Sequence, residues 1–212
     1  MPSPPSPHQS YLWAGRTVGL LGGSFNPAHE GHRYISLQAL KLLGLDAVWW
    51  MVSPQNPLKS SKGMAPLAER LAGAAKASHH PDIFATDIER HMHTRYTVDT
   101  LAALQKHFPH TKFIWLMGAD NLLQIHRWRN WQRIFSLVPV AVLDRPPRSN
   151  SLRSCPALEK FRSSLKPQEQ ARLLKTCQPP VWTILRIPLD ERSATEIREK
   201  EKLQPEQICA MV

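Results

Sequence analysis

Cysteine is scarce. Three residues in 212, Cys155, Cys177 and Cys209, lie far apart, and no two stand at CxxC spacing. An odd, scattered set argues against a disulfide framework and fits a reducing cytoplasm. No apolar run approaches the roughly 18 residues that a membrane span requires, so no membrane association is expected. The opening MPSPPSPHQSYLW lacks the basic start and apolar middle of a signal peptide. Its Pro and Ser content predicts a flexible tail over 1–14. Acidic side chains are also short: 17 Asp and Glu face 27 Lys and Arg, for a formal net charge of +10. Such an excess suits an anionic partner, a nucleotide or a nucleic acid. The familiar phosphate loops are missing. Neither GxGxxG nor GxxxxGK[ST] occurs at the first strand, and the pair His29 and His32 reads HxxH, not the HExxH of zinc proteases.

What remains is regular alternation. TVGLLGG (Thr17–Gly23) reads as a buried strand ending in a glycine turn. The next segment carries Ile35, Leu37, Leu40, Leu42 and Leu43 at helical spacing and stops at Gly44. Further strands are expected at Ala47–Ser53, within DIFATDIER, and at Lys112–Gly118, Val138–Pro146 and Val181–Leu189. Helices are expected at Leu67–Ser78, at Thr97–Phe108 and from Ser193 onward. Strands alternating with helices predict an α/β fold: a Rossmann-like, doubly wound, mainly parallel sheet with helices on both faces, in one domain over 15–212. Ligands of such sheets sit at the carboxyl ends of the strands, where the strand order reverses. The loops Gly22–His32, Ser53–Lys62, Gly118–Trp128 and Leu189–Ser193 all follow strands and should share that rim. From Asp144 to Lys175, eight Lys and Arg stand against three Asp and Glu. This stretch has few strand signals and reads as helical or irregular surface structure.

The first loop is the most informative segment. His29 and His32 stand three apart, so at a helix start they share one face. Free backbone amides at such a start favour anions, and imidazoles there can donate to phosphate oxygens. By spacing alone the pair also suits an ordinary surface or core location, and metal binding lacks an obvious third ligand.

Gly22-Gly23-Ser24-Phe25-Asn26-Pro27-Ala28-His29-Glu30-Gly31-His32 closely resembles the GGxF(D/N)PxHxGH signature of the nucleotidyltransferase superfamily with a Rossmann-like core. Asn26 stands where Asp is frequent in that family. The superfamily's second mark, a Ser/Thr-rich turn before an Arg-bearing helix, is matched by RSATEIREK, with Ser193, Thr195 and Arg198. Ser193 and Glu196 also form an S-x-x-E capping box, the ordinary signal of a helix start. The resemblance implies that Gly22, Gly23, Ser24, Phe25, His29, His32, Asp120, Ser193, Thr195 and Arg198 bind ATP. It further implies that His29, His32, Lys59 and Arg198 act on the phosphates, with Lys62 an alternative to Lys59.

RYTVDTL (Arg95–Leu101) and GADNLLQIHRW (Gly118–Trp128) are similar to segments of bacterial nicotinate mononucleotide adenylyltransferases. That resemblance implies an acceptor site of Asn26, Tyr96, Thr97 and Trp128, with Asp120 near a ribose. Asp120 also reads as a plain helix cap. The implied reaction joins nicotinate mononucleotide to ATP, releasing pyrophosphate, with Mg²⁺ held mainly by the phosphates. The acceptor's 5′-phosphate is already an anion at neutral pH, so alignment and charge neutralisation are needed rather than a general base. An adenylyltransferase preferring the amide mononucleotide or phosphopantetheine is the near alternative. A basic nucleic-acid-binding module, prompted by IHRWRNWQR, is the remote one. That stretch also reads as an amphipathic helix with Trp128 and Trp131 three apart. Oligomeric state stays open.

Overall fold

The computed structural model describes residues 5–54, 63–144 and 155–188. Strand β1 (Thr17–Gly23) feeds helix α1 (Glu30–Leu43), followed by β2 (Ala47–Val52), α2 (Leu67–Ser78), β3 (Ile83–Thr86) and the single turn α3 (Ile88–His91). Then come α4 (Thr97–His107), β4 (Lys112–Gly118), α5 (Ala119–Gln124), α6 (Trp131–Leu137) and β5 (Val140–Asp144). The last described elements are α7 (Pro156–Phe161), β6 (Leu165–Lys166) and β7 (Trp182–Arg186). The seven strands form one sheet in the order β3-β2-β1-β4-β5-β7-β6, and every pairing among them is parallel. The chain moves outward from β1 to β3, then returns to build the other half from β4. The order therefore reverses between β1 and β4, where a crevice opens at the carboxyl ends. None of the described helices is long and apolar enough to cross a membrane.

Strand alternation divides the core into two layers. Val18, Leu20, Trp49, Met51, Phe113, Trp115 and Met117 pack toward α4, α6 and α7. Leu21, Val48, Trp50, Val52, Ile114 and Leu116 pack toward α1 and α2. Because both faces are covered, the strands are apolar almost throughout, and this makes them conspicuous in the sequence. Helix α1 ends at Gly44 in the left-handed region (φ 66°), a conformation that glycine adopts without a Cβ clash. Its buried stripe is Ile35, Ser36, Ala39 and Leu43, with Leu37, Leu40 and Leu42 only partly covered. The expected leucine face is thus rotated toward smaller residues. The Ser36 hydroxyl accepts from the Trp50 indole N–H at 2.8 Å, which requires that rotation.

Two segments differ from expectation. Pro7–Trp13, assigned to the flexible tail, winds into a 3₁₀ helix whose Trp13 is 0% exposed. The indole packs edge-on against Trp49 at 4.8 Å and Phe84 at 5.2 Å, and Thr111 donates to the Trp13 carbonyl at 2.9 Å. Proline-rich composition obscured one large aromatic anchor. The described part of the basic stretch is not merely a solvated face. It supplies the edge strand β6, and Lys175 Nζ donates to the Gly44 carbonyl at 2.6 Å while Arg172 reaches the Lys41 carbonyl at 3.4 Å. Cations there satisfy the last carbonyls of α1 and complement the negative end of its dipole.

Trp13→Ala is expected to lower stability by about 3–5 kcal/mol, read from the shift of a urea unfolding curve. An unchanged midpoint would mean that the segment is loose after all.

Candidate active site

A cavity of about 720 Å³ occupies the crevice at the reversal point, a size that suits a nucleotide-sized ligand. Its walls come from the loop after β1, the start of α1, the end of β2 (Ser53), the turn before α4, and the β4–α5–α6 connection. Gly22, Gly23, Ser24, Phe25, Asn26, His29, His32, Tyr96, Thr97, Asp120 and Trp128 all line it. These stretches are separated by up to about a hundred residues in the chain. The parallel topology brings them together because each one follows the carboxyl end of a strand or precedes a helix on that side. Lys59, Lys62, Ser193, Thr195 and Arg198 lie outside the described residues.

The loop after β1 is rigidly held. Asn26 Oδ1 accepts from the Ala65 N–H and its Nδ2 donates to the Gly63 carbonyl, both at 3.2 Å. Asn26 therefore braces the loop against the segment before α2. Phe25 sits in the left-handed region (φ 47°), an uncommon conformation for a bulky residue. It is held by near-parallel stacking on Trp50 at 5.2 Å and by contact with the His32 ring at 4.8 Å. Gly22 serves packing directly, since a Cβ there would lie 2.7 Å from the Trp115 ring.

The histidines form the start of α1. His29 is the N-cap, with its Nδ1 accepting from the Gly31 N–H at 3.1 Å. His32 Nδ1 accepts from the His29 N–H at 3.3 Å, and the two ring centroids are 3.9 Å apart. Both Nδ1 atoms act as acceptors, so each neutral ring carries its proton on Nε2 as a donor. Two imidazole donors and the positive end of α1 thus converge on one wall, an arrangement suited to phosphate oxygens.

The opposite wall holds Tyr96, the N-cap of α4, with Thr97 next to it. Arg129 lies 4.7 Å from the Tyr96 ring centroid and 3.8 Å from the Asp99 carboxylate, fixing the ring by cation–π and ionic contact. Trp128 packs edge-on against Trp115 at 6.3 Å. The expected amphipathic helix through Trp128 and Trp131 does not form. Trp128 is extended (φ −82°, ψ 142°) and Asn130 is left-handed (φ 47°), breaking the chain between α5 and α6. The break turns Trp128 into the cavity, while Trp131 packs on Phe135 and Phe161. The cap of α5 is Gly118, so Asp120 is not its N-cap and lines the cavity instead.

Three features were not singled out from the sequence. Arg95, Arg127 and Arg129 add guanidinium groups to the acceptor wall; their signal was the basic cluster around Trp128. Arg70 on α2 is only 4% exposed and donates to the carbonyls of Ser24 (2.6 Å), Ser53 (2.8 Å), Ala65 (2.9 Å) and Pro54 (3.1 Å). Burial lowers its pKa, yet an arginine remains charged. Glu89 on α3 is 6% exposed and lines the cavity. Desolvation pushes its carboxyl up to about 7, against the opposing hydrogen bonds of Thr100 and Ser53. Nothing in a lone Arg or Glu on a helical segment marks it for burial.

Comparison with known proteins gives the family. Residues 20–200 match the cytidylyltransferase-like family model. A protein of Parvibaculum lavamentivorans, named "Probable nicotinate-nucleotide adenylyltransferase", is 50% identical over 189 residues, covering 89% of this chain and 94% of that protein. One of the same name from Cereibacter sphaeroides is 49% identical over 181 residues, covering 85% and 95%. The chain belongs to the nicotinate-nucleotide adenylyltransferase family. It is thus a nucleotidyltransferase. Among solved structures, the nicotinic acid mononucleotide adenylyltransferase of Plasmodium falciparum complexed with NaAD shares the fold. The TM-score is 0.62 at 18% identity, over 83% of this chain and 77% of that one.

Replacing Arg70 by Met removes the donor from four carbonyls while keeping most of the volume. Destabilisation of about 2–4 kcal/mol is expected in urea titration. A loss below about 0.5 kcal/mol, the size of an ordinary surface substitution, would show that the loops hold themselves.

Proposed function

We propose that the protein transfers the adenylyl group of ATP to nicotinate mononucleotide, forming nicotinate adenine dinucleotide and pyrophosphate in NAD biosynthesis. The observation that carries this reading is one cavity with two chemically distinct walls. The His29–His32 helix start suits a polyphosphate, and the Tyr96–Thr97 turn with Trp128 suits a flat ring. The acceptor phosphate attacks the α-phosphorus of ATP, the bond to the β-phosphate oxygen breaks, and pyrophosphate leaves with its growing charge. No proton need be removed from the nucleophile, so the site's task is alignment and charge neutralisation. His29 and His32 donate to the phosphates, and Ser24, Gly22, Gly23 and Phe25 shape the loop on which they lie. Asp120 meets a ribose hydroxyl. Tyr96, Thr97 and Trp128 enclose the pyridine ring, and Asn26 acts by bracing the loop.

Lys59, Ser193, Thr195 and Arg198 complete the phosphate grip in this reading. Its support is that Tyr34, two residues after His32, donates to the Pro188 carbonyl at 2.8 Å. The chain thus arrives beside the helix start five residues before Ser193. Mg²⁺ enters this reading as a companion of the triphosphate, held mainly by its oxygens. When bound, it supplies further neutralisation of the leaving pyrophosphate. The acid form of the acceptor is favoured because Arg95, Arg127 and Arg129 all line the cavity. A cytoplasmic location fits ATP-dependent synthesis and the scattered cysteines.

Pyrophosphate release with ATP and each of nicotinate mononucleotide, its amide and phosphopantetheine tests the assignment. The acid should show the highest kcat/KM. Preference for the amide would overturn the acceptor and leave the reaction class standing. His32→Ala should retain the parent's circular dichroism yet turn over at least about tenfold more slowly, toward the 10²–10³ of a lost transition-state donor. Equal turnover would remove its catalytic role.

A further inference from the structure

Glu89 is a buried carboxyl in the cavity wall that the mechanism above does not use. Its backbone carbonyl accepts from the Thr94 N–H at 3.0 Å and from the Thr94 hydroxyl at 3.5 Å. Its Oε1 lies 3.2 Å from the Thr100 hydroxyl, while Oε2 is buried with no hydrogen-bond partner. The Thr100 hydroxyl is also 2.9 Å from the Thr94 hydroxyl and 3.2 Å from the Tyr96 carbonyl. The Glu89 backbone therefore ties Thr94, its side chain reaches Tyr96 through Thr100, and the turn so held carries the expected pyridine contacts.

Thr100 has one proton and three oxygens within reach. With Glu89 protonated, the chain closes: Glu89 O–H donates to Thr100, and Thr100 donates to the Tyr96 carbonyl. With Glu89 ionised, Thr100 must turn its proton toward the carboxylate. The ionised form also places negative charge in a wall that desolvates it, against which only the Thr100 and Ser53 hydrogen bonds act.

We propose that Glu89 is a positioning and specificity-determining residue for the acceptor: in its neutral form it holds the Tyr96–Thr97 turn for a ring bearing a carboxylate, and its ionisation selects against that carboxylate. The inference rests on the acceptor reading above. An amide-bearing ring has no charge for Glu89 to repel, so discrimination between acid and amide becomes dependent on pH. The sign follows from a carboxyl raised to about 7 by desolvation. Below that pH the group is neutral and the acid is favoured; above it the advantage shrinks.

Among the described residues, several charged and titratable groups surround it. Arg95, Arg127, Arg129, Asp120, His29 and His32 line the same cavity. On α4, Asp99 is tied to Arg129. On α3 itself, Asp87 pairs with Arg90 at 3.8 Å and His91 at 3.3 Å. The end of β2 presents only Ser53, which is uncharged. Arginines do not titrate in this range, and the imidazoles and the acceptor phosphate are common to both substrates. Both imidazoles are retained in Glu89→Gln, so whatever they contribute to the ratio of kcat/KM for acid over amide persists there and only the part due to Glu89 is lost.

The experiment measures that ratio from pH 5.5 to 8.5 for the parent, Glu89→Gln and Thr100→Val. In the parent it should fall by at least about threefold, a modest value for one like-charge contact across a partly desolvated wall. In Glu89→Gln that fall should be clearly reduced. In Thr100→Val, which removes a hydrogen bond favouring the ionised form, the midpoint should move to higher pH. If Glu89→Gln does not fold, the parent and Thr100→Val still decide. A flat parent ratio, an unaltered slope in Glu89→Gln, or an unmoved midpoint in Thr100→Val overturns the proposal. Absence of turnover with either mononucleotide would instead overturn the acceptor assignment itself.

Discussion

One buried guanidinium fixes the mouth of the cavity. The carbonyls that Arg70 gathers belong to the loop after β1, the loop after β2 and the segment before α2. None of these segments has a regular ladder there to satisfy its backbone. A buried carbonyl without a donor costs free energy comparable to a lost hydrogen bond, and a buried charge costs more unless its donors are occupied. Arg70 resolves both at once. Among the described residues it has no carboxylate partner, so its positive charge is not cancelled locally.

The dependence runs outward from that clamp. Asn26 braces the loop against the Gly63–Ala65 backbone, and Phe25 stays in its left-handed conformation by stacking on Trp50. Only then do His29 and His32 cap α1 with their ring acceptors turned to the backbone. Across the crevice a second set of constraints acts. Glu89, Thr94 and Thr100 hold the turn before α4, while Arg129 pins the Tyr96 ring. The phosphate-facing wall is fixed by a charge with no carboxylate partner among the described residues, the acceptor wall by a carboxyl that burial raises to about 7. Both devices are costly alone, and both shape a surface meant for a ligand of defined charge.

Most of the architecture was legible because a parallel sheet covered on both faces demands nearly continuous apolar strands. Thr17–Gly23, Leu67–Ser78 and Lys112–Gly118 fall at the expected boundaries. The first loop was legible as an ordered run of eleven residues, and every position expected from it lines the cavity or braces its wall. The errors share a cause. Trp13 was hidden in proline-rich composition, Trp128 and Trp131 looked like neighbours on one helix, and no local signal singled out Arg70 or Glu89. Local pattern carries no information about which side chain a distant strand will cover.

The sequence by itself determined the alternation of strands and helices, the stop at Gly44, and the residue types that meet at the carboxyl rim, since period, caps and turn chemistry are local properties. Only the tertiary structure decided which isolated polar residues are taken out of water and whom they meet there. Arg70 became a clamp, Glu89 a carboxyl neutral up to about 7, and Trp128 a cavity wall, because burial and the low dielectric that follows from it arise from packing between segments far apart in the chain.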